Sequence, residues 1–248
     1  MAGVLAALKW AHLQGWLPEE PKLQKLKAPK RRAMKGRPLT ETEYQQLLEA
    51  IEVIVGHEAL PSWKYLIRGL YESALRIDEL MHVSWDLHNT IQPIWPSGQL
   101  PLLEIPAALQ KNDMEESIPL LPGLESLLLE TPESERTGWI FQPASLQLKV
   151  GRKPKQTRPT TKWVGKVVSS IGKQAGIVVR SADENTGRPE KYASAHDLRR
   201  TCAQRLRDAG VPPLVICRVM RHSSWETTQK HYAPGDVQND AKILWNLF

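Results

Sequence analysis

The stretch "SAHDLRRTCAQRLRDAG", residues 194–210, decides how this chain is read. Its apolar residues recur at helical spacing, and His196 and Arg199 stand at i and i+3, which puts both on one helix face. At the positive end of that helix the two side chains can reach a single anion, and a phosphate would suit both. Arg200, Arg205 and Arg207 follow on the same helix and serve either structure or neighbouring phosphates.

Working outward, "MRHSSWETTQKHY" (220–232) supplies His222 and Tyr232, and the preceding "VPPLVICRVM" (211–220) reads as the helix that aims His222. Far upstream, "YESALRIDELMHVSW" (71–85) sets Arg76 in a segment apolar enough to be core. A buried arginine needs a partner, and Glu79 three residues on is the obvious one. Each piece has a plainer structural reading: an ion pair for Arg76 and Glu79, a helix cap for His196 and Arg199, a satisfied core histidine for His222. The ordered set Arg, Lys, His-x-x-Arg, His, Tyr is harder to assemble by chance.

The composition sets the frame for these residues. The 248 residues, 41% hydrophobic and 24% charged, suffice for one large domain, or one domain plus a fragment, around a real core. A net charge of +6, from 33 Lys+Arg against 27 Asp+Glu, favours a polyanionic partner. The two cysteines, Cys202 and Cys217, lack C-x-x-C spacing and read as reduced core fillers of an intracellular protein. No apolar run has membrane-spanning length and the N-terminus lacks a secretory h-region, so the expectation is a cytoplasmic protein with no membrane partner.

Residues 2–16 have helical periodicity and stop at "LPEEP", but a lone helix cannot bury its own face, so it reads as the last piece of a domain otherwise outside this chain. The stretch 21–38, "PKLQKLKAPKRRAMKGRP", holds Lys30, Arg31, Arg32, Lys35 and Arg37 without an acid and reads as a basic interdomain linker. A second domain over 39–248 opens with a capping box, Thr40 and Glu43. Helices are expected over 63–75, 77–85, 122–130, 160–175, 196–209, 212–220 and 224–231, with a hairpin pairing Leu102–Ile105 to Ser117–Leu120 and Gln110 to Met114 near its turn. The fold class is therefore α+β, mainly α-helical, with a small antiparallel β-sheet.

At this point the chain resembles the catalytic domain of the tyrosine recombinases, the phage-type integrases. The resemblance rests on "ALRIDEL" (74–80), "QKNDMEESIPL" (110–120), the run from Ser194 to Thr228, and "QKHYAPG" (229–235), and spans about residues 39 to 240. It implies the tyrosine-recombinase catalytic fold, with residues 1–20 as the remnant last helix of a core-binding domain. It implies that Arg76 and Arg199 clamp a scissile phosphate, that Lys111 in the hairpin turn is the general acid, that His196 and His222 complete the pocket, and that Tyr232 is the nucleophile. The activity implied is site-specific recombination of mobile DNA through a 3′-phosphotyrosine, on double-stranded DNA, as a self-associated tetramer in the prokaryotic cytosol or nucleoid, with no metal or other cofactor. An inactive DNA-binding fragment and a type IB topoisomerase are the alternatives.

One departure stands out: Arg221 occupies the place before the histidine where the common form of the segment has glycine. It joins Lys30, Arg31, Arg32, Lys35, Arg37, Arg152, Lys153, Lys155 and Arg158 as an expected DNA contact, because lysines and arginines clustered without acids neutralise backbone phosphates.

Overall fold

In the computed structural model, the described residues are 2–19, 36–110, 114–144, 158–184 and 187–222. The chain divides into two compact units, Met1–Ala33 and Met34–Phe248. The first contains α1 (Ala2–Leu13), which ends in a turn at Gly15 and carries Trp10 edge-on to Trp16, both exposed.

The second unit begins where Thr40 and Glu43 cap each other reciprocally at the start of α2 (Glu41–Glu49). The short α3 (Ile51–Val55) leads to α4 (Leu60–Ser73), whose face of Trp63, Leu66, Ile67 and Leu70 is fully buried. Helical spacing of apolar residues makes α4 the axis of the core, and α6 (Pro122–Leu129) and α8 (Ala195–Asp208) both pack on it. Gly69 permits Phe141 to pack closely on α4, since a Cβ there would lie 2.3 Å from the Phe141 ring.

Residues 77–85 are read as one helix in the sequence, but the helix α5 (Ile77–Met81) is a single turn. Val83 and Ser84 instead join Ile91 and Trp139 through isolated bridges, so the extended backbone finds partners that a longer helix would forfeit. The expected hairpin is present as β2 (Leu102–Ile105) and β3 (Glu116–Pro119), with Leu103 opposite Ile118 on the buried face. The sequence reading missed β1 (Gln92–Ile94), which makes the sheet three-stranded in the order β1-β2-β3. It also missed the antiparallel pair β4 (Val178–Arg180) and β5 (Lys191–Tyr192), which are too short for an alternation to register.

The helix α7 (Thr161–Gln174) covers the core beside α3, and α9 (Pro213–Met220) follows α8. A second apolar cluster, Ala74, Cys202, Ala203, Ile216, Val219 and Met220, binds α9 to α8 and to the end of α4. Burial pushes the Cys202 thiol up to about 12, which leaves it an inert core filler. The proposed helix 224–231 lies outside the described residues. Among those that are described, no helix is long and apolar enough to cross a membrane.

Candidate active site

The N-terminus of α8 is built by its own sequence. Ser194 and Asp197 form a reciprocal capping box, with Ser194 N–H and Oγ donating to Asp197 Oδ2 at 3.1 and 2.5 Å. The carboxylate is fully buried and also accepts from Lys191 Nζ at 2.8 Å and Arg200 Nη1 at 2.6 Å. Gly36 lies so close that a Cβ there would sit 2.0 Å from Asp197 Oδ1. This network fixes the first turn of α8 and so aims His196 and Arg199. Sequence reasoning missed Asp197, Ser194 and Lys191, although the S-x-x-D spacing was a usable signal.

Arg199 is almost wholly buried, at 1% exposure. Its Nη1 donates to the carbonyl of Ala74, the C-cap of α4, and its Nη2 to the carbonyl of Met220, the last residue of α9, at 2.5 Å. The guanidinium thus sits between the C-terminal ends of two helices, where orphaned carbonyls and negative dipole ends stabilise a cation. Ala74 and Arg221, the two C-cap residues, both hold left-handed backbone at φ 54° and 51°. For non-glycine residues that conformation costs on the order of 1–2 kcal/mol, which the packing around Arg199 holds in place.

Two longer contacts complete the surroundings of Arg199: Nη1 lies 3.4 Å from Glu79 Oε2 and Nη2 3.4 Å from His222 Nε2. Arginine can only donate, so His222 Nε2 is the acceptor and the ring is neutral there. Arg76, at the start of α5, donates through its backbone N–H to Glu79 Oε2 and through Nη1 to Oε1, each at 2.7 Å. Its side chain keeps 42% exposure, while that of Glu79 keeps 15%. Burial pushes the Glu79 carboxyl up, but Arg199, the Arg76 backbone N–H, Arg76 and Arg221 outweigh it and hold the group below its usual value.

Both histidines are held neutral. His222 falls to about 4 through burial first and then the charges of Arg199 and Arg76, with Glu79 opposing. His196 keeps an exposed edge yet also falls to about 4, through partial desolvation and then Arg200 and Arg199, with Asp197 opposing. The structure therefore brings together Arg76, Glu79, His196, Arg199 and His222. Lys111 and Tyr232 lie outside the described residues.

The expected DNA contacts fare differently. Lys30, Arg31, Arg32, Lys35, Arg152, Lys153 and Lys155 lie outside the described residues, and the other three arginines are committed within the protein. Arg37 pairs with Glu43 at 2.7 and 2.5 Å and reaches the Val178 carbonyl at 3.0 Å. Arg158 donates to the Met81 carbonyl and stacks 3.9 Å from the centre of the Trp139 ring, and burial lowers its pKa. Arg221 donates to Glu79 and Glu116, both at 2.9 Å, and to Gln110, with 12% of its side chain exposed. Charge runs in a sequence do not reveal which cations already have acids waiting in the fold. The same holds within α8, where Arg200 pairs with buried Asp197, and Arg205 with Glu72 and the Tyr71 ring.

Comparison with known proteins bears on the family and the fold. The model of the phage integrase family matches residues 37–238. Solved structures of similar fold include the XerA recombinase (17% identity, 98% of this chain and 73% of that one, TM-score 0.51). The Tn1549 transposon integrase in complex with a circular intermediate DNA is similar over 97% of this chain and 76% of that one, at 19% identity and TM-score 0.52. The XerH site-specific recombinase bound to palindromic difH substrate is similar over 85% of this chain and 54% of that one, at 19% identity and TM-score 0.51. The comparison with curated protein sequences returns no match.

Proposed function

The chain belongs to the phage integrase family, the tyrosine recombinases, and from that premise we propose how its own residues break and rejoin double-stranded DNA at a specific site. Arg76 and Arg199 bind the two non-bridging oxygens of one scissile phosphate. The 3.4 Å contacts of Arg199 to Glu79 and His222 are the ones that yield to the phosphate, while its bonds to Ala74 and Met220 keep the fork aimed. Rigid donors directed at developing negative charge supply the largest electrostatic contribution to such a reaction.

Tyr232 Oη attacks phosphorus, a new O–P bond forms at the 3′ side, and the bond to the 5′ oxygen breaks. A phenol is mostly protonated at neutral pH, so its proton must go to a base. His196 is that base: neutral in the free protein, it regains proton affinity when the anionic diester lies beside it. Lys111 protonates the departing 5′ oxygen. The phosphotyrosine link conserves the bond energy, and the 5′-hydroxyl of a second strand reverses the steps. No step in this scheme calls on a metal or cofactor. Self-association into a tetramer on DNA belongs to the same reading, as does residence in the prokaryotic cytosol or nucleoid.

The observation that supports this reading most strongly is the joining of Arg76 and Arg199 through the one carboxylate of Glu79. The test is incubation with a nicked suicide duplex that traps the cleaved state. A covalent protein–DNA adduct in the wild type that is absent in Tyr232→Phe is expected; an adduct that survives the substitution overturns the assignment of the nucleophile.

A further inference from the structure

Among the described residues, Arg221 is the one basic side chain on left-handed backbone. It caps α9 with φ 51° and ψ 49°, a backbone shape that favours glycine, yet it carries the longest donor-bearing side chain available. Nothing in helix capping calls for that side chain, so its value lies in what it grips. Its Nε donates to Glu116 Oε2 at 2.9 Å, its Nη1 to Glu79 Oε1 at 2.9 Å, and its Nη2 to Gln110 Oε1. Gln110 Nε2 in turn donates to Glu116 Oε2 at 2.7 Å, which closes the ring of contacts.

Glu116 opens β3, and Gln110 is the residue covalently joined to Lys111. A single guanidinium therefore ties both sides of the β2–β3 connection to the carboxylate that Arg76 and Arg199 share. We propose that Arg221 is a positioning residue: it ties Gln110 and Glu116, the residues flanking the β2–β3 connection, to the carboxylate that Arg76 and Arg199 share, and does not bind a DNA phosphate. The inference rests on the reading of Lys111 as proton donor to the leaving group. Arginine suits the task because its planar fork offers several donors in fixed directions, which a lysine ammonium cannot reproduce.

The experiment compares two suicide duplexes, one with the ordinary 5′ oxygen at the scissile bond and one with a bridging sulfur there. A thiol is far more acidic than an alcohol, so a thiolate departs without a donated proton. On the oxygen substrate, Arg221→Gly and Glu116→Gln are expected to slow adduct formation by about tenfold to 100-fold, the range lost when general-acid help is misplaced. On the sulfur substrate both variants should recover to within about threefold of wild type, because the step that needs the proton has been removed. Arg221→Lys should fall between the wild type and the glycine variant on oxygen. Glu116→Gln, altered at the other end of the contact, supplies the test if the glycine variant does not fold.

Equal slowing on both substrates, or no slowing on either, overturns the proposal. So does a salt dependence of DNA binding that drops by about one phosphate contact in Arg221→Gly, since that marks a direct backbone contact. Failure of the underlying reading looks different: the wild type itself then forms no adduct on either duplex.

Discussion

Arg76 and Arg199 meet on one carboxylate, with Nη1 of the first 2.7 Å from Oε1 of Glu79 and Nη1 of the second 3.4 Å from Oε2. The two arginines differ in setting, one 42% exposed and the other 1%. Arg76→Ala should therefore change stability by no more than about 1 kcal/mol. Its cleavage rate should nevertheless fall by about 100-fold or more, the loss expected when a charge-stabilising donor is removed. Arg199→Ala should lose activity and also about 3–5 kcal/mol of stability, because Glu79 and two helix-end carbonyls lose a buried partner. Denaturant melts beside single-turnover cleavage check both; equal destabilisation by the two variants would contradict the difference in burial.

Glu79 holds Arg76, Arg199 and Arg221 together, and its removal leaves three guanidinium groups facing one another. Glu79→Ala should cost on the order of 3–5 kcal/mol, as for other broken buried pairs. Raising the salt concentration should recover little of this, since buried charges are poorly screened. A loss that high salt reverses in full would place the cluster at the surface instead.

Stability should also fall as the solution is acidified. His196 and His222 sit at about 4 in the folded protein, against about 6.5 in an unfolded chain. Between those values the unfolded state binds more protons, so stability rises with pH across the window and is lost as pH falls through it. Glu79, held below its usual value, adds a loss in the same direction at still lower pH. The exposed edge of His196 makes its share the smaller. Urea midpoints at pH 7 and pH 5 provide the measurement, with a flatter profile expected for His222→Asn; a midpoint that is higher at pH 5 would contradict the neutral histidines.

The near neighbours around Glu79 and at the head of α8 were legible because short spacings in the sequence carry them. Arg76 and Glu79 meet at the cap of α5, and His196 and Arg199 both stand in the first turn of α8, so short spacing alone sets each pair close. What the sequence hid is long-range. The clamp between Arg221, Gln110 and Glu116 joins residues brought close only by folding, so no periodicity announces it. Arg37 and Arg158 read as DNA contacts in part for the same reason, since the Val178 and Met81 carbonyls reach them only in three dimensions. Strands β1, β4 and β5 escaped notice because two or three residues cannot display an alternation.

Gly36 and Asp197 offer a test of how α8 is aimed. A methyl at position 36 collides with Asp197 Oδ1, so Gly36→Ala must displace the carboxylate that holds Lys191, Ser194 and Arg200. The expected result is a loss of about 1–3 kcal/mol, typical of overpacking, together with slower cleavage, because His196 and Arg199 lose their fixed base. Asp197→Asn should slow cleavage as well, since two cations lose their buried counter-charge. Full activity in both variants would show that the capping network does not position the site.

The most direct test of the shared arginine clamp replaces the scissile diester with a methylphosphonate, which is neutral. If Arg76 and Arg199 act by neutralising charge on the non-bridging oxygens, the penalty of Arg76→Ala should shrink by about tenfold or more on the neutral linkage, as expected when the charge being stabilised is gone. An equal penalty on the charged and neutral duplexes would contradict the clamp and leave Arg76 as a structural partner of Glu79.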